Sequence, residues 1–156
     1  GYSIGSAPII SFHYGAKNDN ELKNLFKKSI SLIGSWGIML FVIAQLIAGP
    51  LAKLFVGYNA DLFLMTKHGF QIFCFAFLIN GFNIFGSSFF TALNNGLISA
   101  AISFLRTLVF QLSVVLILPM ILGINGIWIS VAIAELLTLC VTVTCLIRKR
   151  KVYHYI

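Results

Sequence analysis

Four apolar runs, residues 29–49, 68–92, 97–118 and 127–147, limit what this chain can fold into. A helix needs about 20 residues, at about 1.5 Å each, to cross a hydrocarbon core of about 30 Å, and every run is long enough. Together they carry one arginine, Arg106, and one carboxylate, Glu135. Charged residues make up only 10% of the chain and its mean hydropathy is +0.96, whereas soluble domains carry roughly 25% charged residues. So few charges cannot cover a globular surface in water. The sequence predicts an all-α integral membrane protein, a polytopic helix bundle of four complete transmembrane spans plus the end of a fifth. Its first partner is the lipid bilayer.

Taken in order, residues 1–14 hold no charge and are too short to span alone. They read as the end of a span, kinked at or centred near Pro8. The chain opens on Gly1 inside this apolar stretch, which gives it the look of part of something longer. Residues 15–28 read as a cytoplasmic loop whose charged second half, 21–28, is a helical surface segment. Gly49-Pro50 should stop the first complete span. Residues 51–67, with Lys53, Asp61 and Lys67, suggest a short interfacial helix and a loop. A tight turn follows at 93–96, Pro119 closes the third span, a second turn falls at 122–126, and the tail is 148–156.

The placement of charge gives an orientation. Lys17, Lys23, Lys27 and Lys28 precede the first complete span, and Arg148, Lys149, Arg150 and Lys151 follow the last. With the uncharged turn at Asn94-Asn95, these connections fall on one side; the other side has Lys53 and Lys67. The positive-inside rule puts the first side, and the C-terminus, in the cytoplasm. The net charge of +7 is thereby read as membrane topology, and no nucleic-acid partner is expected.

Function in a membrane chain is sought where polarity is costly. Asn80, Asn83, Ser87, Thr91 and Asn94 recur every three or four residues on an otherwise apolar helix. Such a stripe either bonds to neighbouring helices or lines a water-filled path. Arg106 lies about 15 Å, and Glu135 about 20 Å, from the cytoplasmic end at helical rise. A lone charge at that depth costs at least about 2.5–3.5 kcal/mol, so a pair across the third and fourth spans would relieve both. Arg106 shares its face with Ser99, Ser103 and Ser113, and Glu135 shares its own with Trp128, Thr138 and Thr142. The functional reading is a gate or protonatable switch; the structural one is a static ion pair, or an arginine reaching for headgroups.

Asn80, Asn83, Ser87, Arg106 and Glu135 are therefore the candidates for a substrate or ion pathway. Gln45, Gln71 and Gln111 read as bonds between helices. His13, His68 and His154 are too scattered for a metal site, and Cys74, Cys140 and Cys145 read as small apolar side chains. No nucleophile–base constellation and no phosphate loop is visible, so the chain is not read as an enzyme.

Several stretches in sequence order resemble the multidrug and toxic compound extrusion (MATE) transporters, particularly the bacterial exporters. Residues 7–18, APIISFHYGAKN, look like the end of the family's eighth span, and Gly81-Phe82-Asn83 through Leu93 resembles the tenth. Ser103-Phe104-Leu105-Arg106-Thr107 resembles the eleventh. Gly123-Ile124-Asn125-Gly126-Ile127-Trp128, with Ala134-Glu135 after it, resembles the twelfth.

The resemblance covers nearly the whole chain and implies the C-terminal lobe of a twelve-helix, two-lobe transporter in a bacterial inner membrane. It implies export of small organic cations and amphipathic toxic compounds past an N-terminal lobe of the same chain, driven by inward sodium or protons. No other cofactor is implied. One departure stands out: some members carry an ion-binding carboxylate in the tenth span, and residues 68–92 here have none. The alternatives are a flippase for lipid-linked precursors and a membrane subunit that transports nothing.

Overall fold

A backbone inside lipid has no water to bond, so it pairs its own amides and carbonyls, and a single chain of this composition does so as helices. The computed structural model of the protein describes residues 1–155, and among them every element is helical. In order these are α1 (Tyr2–Gly15), α2 (Asp19–Val56), α3 (Ala60–Phe73), a 3₁₀ turn (Cys74–Ala76) and α4 (Phe77–Ala92). Then come α5 (Gly96–Phe104), a π-helix (Leu105–Gln111), α6 (Leu112–Leu122) and α7 (Ile124–Tyr153). Four continuous stretches, Asp19–Val56, Ala60–Ala92, Gly96–Leu122 and Ile124–Tyr153, are long and apolar enough to cross a membrane.

The helices run further than the expected spans at nearly every end. The loop expected at 15–28 shrinks to residues 16–18. Asn18 caps α2 by accepting a bond from the Glu21 amide at 3.3 Å, and Asp19 and Glu21 place negative charge on the first turn, where the helix dipole favours it. The charged segment is thus the first turns of the spanning helix.

At the other end α2 ignores the expected stop at Gly49-Pro50 and continues to Val56. Ending a helix in lipid would leave several carbonyls without partners, whereas Pro50 inside it removes a single bond. The expected interfacial helix and loop at 51–67 are therefore the end of α2, a break at residues 57–59, and the start of α3. Asn59 caps α3 through the amides of Asp61 and Leu62 at 3.0 and 3.2 Å.

The same balance carries α6 through Pro119 to Leu122. The expected turn at 122–126 contracts to Gly123, whose φ of +60° is one that glycine adopts without a Cβ clash. Helix α7 also passes through the basic cluster 148–151 to Tyr153, since cations favour the C-terminal end of the dipole. Ile156, last residue of the expected tail, lies outside the described residues.

Past Tyr153, His154 takes a left-handed φ of 54° and turns the chain back. Tyr155 drops into the core fully buried, against Phe26 and Phe89, and donates to the Leu146 carbonyl at 2.6 Å. Around it pack Leu22, Phe85, Phe90, Leu93 and Ile102. Asn95 donates to the Tyr153 hydroxyl at 2.7 Å, Ser11 to the Ala92 carbonyl at 2.9 Å, and the Tyr14 and Tyr153 rings meet at 5.6 Å. The end of α1, the start of α2, the turn at 93–95 and the tail therefore sit at one end of the bundle. Elsewhere the helices turn large apolar side chains outward; Met120 is 87% exposed, as a lipid-facing surface requires.

Candidate functional site

Near the middle of the bundle α4, the π-helix and α7 converge on one carboxylate. Glu135 of α7 is 6% exposed. Its Oε1 accepts from Arg106 twice, from Nη2 at 2.6 Å and from Nε at 3.0 Å. Its Oε2 accepts from Asn83 Nδ2 at 2.7 Å, and the same amide donates to the Glu135 carbonyl at 2.8 Å. Arg106 Nη2 reaches on to Asn80 Oδ1 at 2.5 Å. Behind Asn83, which is fully buried, Thr142 donates to Oδ1 at 3.2 Å.

Every partner of the carboxylate is a donor, and the one cation among them is Arg106. Charge-assisted hydrogen bonds of this kind are shorter and stronger than neutral ones. A proton on Glu135 would put an O–H among donors and leave Arg106 without its counter-charge, an arrangement the same contacts cannot satisfy. A sodium ion on Glu135 would have to compete with Arg106 at Oε1 and with Asn83 at Oε2. Among the described residues, no three of His, Cys, Asp or Glu come together as metal ligands.

The structure divides the polar stripe of α4. Asn80 and Asn83 join Arg106 and Glu135. Ser87 instead faces α5, with its Oγ 2.9 Å from the Oγ atoms of both Ser99 and Ser103, and Thr91 donates to Ser99 Oγ at 2.7 Å. Asn94 leaves the helix altogether, at a positive φ of 58° in the turn. Of the five candidates, then, four share one network and Ser87 belongs to a separate hydroxyl cluster. Asn80 also lines a groove of about 580 Å³ with Tyr2, Ile33, Trp36, Leu40 and Phe77. Gln45 ties α2 to α3 by donating to the Gln71 carbonyl at 2.9 Å.

Two features escaped the sequence. Thr142 is visible as a neighbour of Glu135 on one helical face, but nothing in the spacing says that it bonds to a residue of another helix. The π-helix around Arg106 has no signal: residues 105–111 read as ordinary apolar helix, although widened turns of this kind recur at functional sites.

A sequence model of the MatE family matches residues 1–117. No match is found among curated proteins. The chain is similar in structure to the Vibrio cholerae MATE transporter VcmN in its bent form, with a TM-score of 0.82 and 18% sequence identity. The similarity covers 97% of this chain and 35% of that one, so the chain spans little more than a third of its length.

Proposed function

The chain belongs to the MatE family, and on that premise we propose that it forms the C-terminal lobe of an ion-coupled exporter of cationic or amphipathic toxic compounds. The lobe works by alternating access against an N-terminal lobe, in a bacterial inner membrane with the C-terminus in the cytoplasm. The observation that carries this reading is the pairing of the buried Glu135 with the half-buried Arg106, together with Asn80 and Asn83, drawn from three spanning helices. A charge at membrane depth is costly, and where it is paired across helices that must rock, it supplies two states of different energy.

Of the two coupling ions, the proton fits this lobe better. A sodium ion needs several oxygen ligands, and span Ala60–Ala92 has no carboxylate beyond Asp61 in its first turn; a proton needs a single Glu135 oxygen, released by its donor in the other state of the lobe. The flippase alternative is less favoured. It needs cations free to hold a pyrophosphate, and Arg106, the cation deep in the spans, is committed to Glu135 and Asn80.

The test is efflux of a fluorescent organic cation from cells producing the complete protein. Glu135→Gln and Asn83→Ala should each lower efflux at least tenfold while the amount of protein in the membrane stays at the wild-type level. Normal efflux in both variants would remove the network from transport. Loss of the protein from the membrane would favour the non-transporting subunit, in which these residues only hold helices together.

A further inference from the structure

The Thr142 hydroxyl bonds to Asn83 and not to Arg106 or Glu135, yet it fixes how Asn83 meets the Glu135 side chain. An asparagine amide can be turned either way. In one orientation Asn83 offers two N–H donors to Glu135, at Oε2 and at the backbone carbonyl, and presents Oδ1 to Thr142. In the other, Oδ1 would face those two acceptors and three oxygens would crowd together unpaired. The Thr142 hydroxyl supplies the donor that the first orientation needs, at a site where Asn83 and Thr142 are 0% and 1% exposed.

The neighbouring residues isolate this role. Thr138 lies on the same face, but its hydroxyl bonds back to the Ala134 carbonyl at 2.8 Å. Gly86 of α4 makes the approach possible, because a Cβ there would collide with Thr142 Cγ2. The other elements packed on α7 bring no second charge to the carboxylate. Arg106 is its ion partner, while Asp61, Lys67 and His68 of α3 and Cys74 of the 3₁₀ turn make no bond to it.

We propose that Thr142 is a positioning residue that acts through Asn83, with Gly86 as its seat, to hold the Oε2 side of Glu135 in the donor-bonded state from which the lobe must switch. The inference rests on Glu135 being the operative carboxylate. It adds that the chain Thr142 O–H to Asn83 Oδ1, and Asn83 N–H to Glu135 Oε2, acts as one polarised unit. Arg106 holds one oxygen and this unit holds the other. A carboxylate held equally on both sides has two similar C–O bonds; loosening one side makes them unequal and widens the separation of its two infrared stretches.

The test reads those stretches in the complete protein in lipid, with Glu135 assigned by difference against Glu135→Gln. Thr142→Val, which keeps the shape and removes the hydroxyl, should widen the separation, and Gly86→Ala should do the same by pushing Thr142 away. Thr142→Ser should restore the wild-type bands, and Thr138→Val should leave them alone. Asn83→Ala should widen them further, with Thr142→Val adding nothing on that background. Organic-cation efflux should fall several-fold in Thr142→Val and return in Thr142→Ser.

Unchanged bands in Thr142→Val, or effects of Thr142→Val and Asn83→Ala that simply add, would overturn the proposal. Bands that respond as stated while Glu135→Gln leaves efflux intact would uphold the positioning role and remove the transport reading instead.

Discussion

Arg106 and Glu135 were marked by the cost of leaving either alone in lipid, and that cost yields a prediction about the pair. Removing one partner of a fully buried pair costs about 3–5 kcal/mol, because the other charge is left uncompensated; Arg106 keeps 24% of its side chain exposed, so Glu135→Gln costs less than that. Glu135→Gln should therefore melt at a lower temperature than the double change with Arg106→Gln, with a coupling energy of about 1–3 kcal/mol in a double-mutant cycle. Single effects that add would mean the two charges do not depend on one another. Ser87 gives the contrasting case. Its bonds stay between α4 and α5, so Ser87→Ala should cost about 0.6 kcal/mol, an average for hydrogen bonds between membrane helices. Efflux should stay at the wild-type level.

At the scale of the element, what was legible followed from periodicity and from the cost of burying charge. The four apolar runs and the matched depths of Arg106 and Glu135 needed nothing else. Helix ends are where rules that hold in water fail in lipid. Gly49-Pro50 stops a helix when solvent can take the freed carbonyls, and α2 passes through it because lipid cannot. Pro50→Ala should accordingly leave the fold intact and raise the melting temperature slightly; unfolding of that variant would mean the proline shapes a bend that the bundle needs.

The Tyr155 anchor was illegible for another reason, since its partners Phe26 and Phe89 are remote in sequence. Burial, then the nearby Cys145 and Tyr153, hold its phenol well above the usual tyrosine range. An unfolded tyrosine ionises near pH 10, so the anchor's contribution is complete below about pH 10 and declines as the pH rises through the folded value. Tyr155→Phe gives up the bond to Leu146, a loss of about 1 kcal/mol at neutral pH. Its melting temperature should then fall less steeply than the wild type's between about pH 9 and about pH 11. Parallel curves would mean that ionisation of Tyr155 is not what alkali acts on.

For the whole molecule, the aromatic anchor gathers the basic ends of α1, α2 and α7 at one end of the bundle, with the break at residues 57–59 at the other end of α2. The orientation proposed from the positive-inside rule puts the first end in the cytoplasm. A membrane-impermeant thiol reagent should label Tyr58→Cys in intact cells, and should label Asn94→Cys only after permeabilisation; the reverse pattern would invert the lobe. With that orientation the Arg106–Glu135 network lies within the span, between the two faces that the proposed alternating-access lobe would expose in turn.

The most direct measurement uses the complete protein in liposomes loaded with a fluorescent organic cation, with a proton gradient and a sodium gradient imposed separately. The proton gradient should drive the dye across, and Glu135→Gln and Arg106→Gln should each abolish that movement. Dye movement that follows sodium alone, or that persists unchanged in Glu135→Gln, would contradict the account.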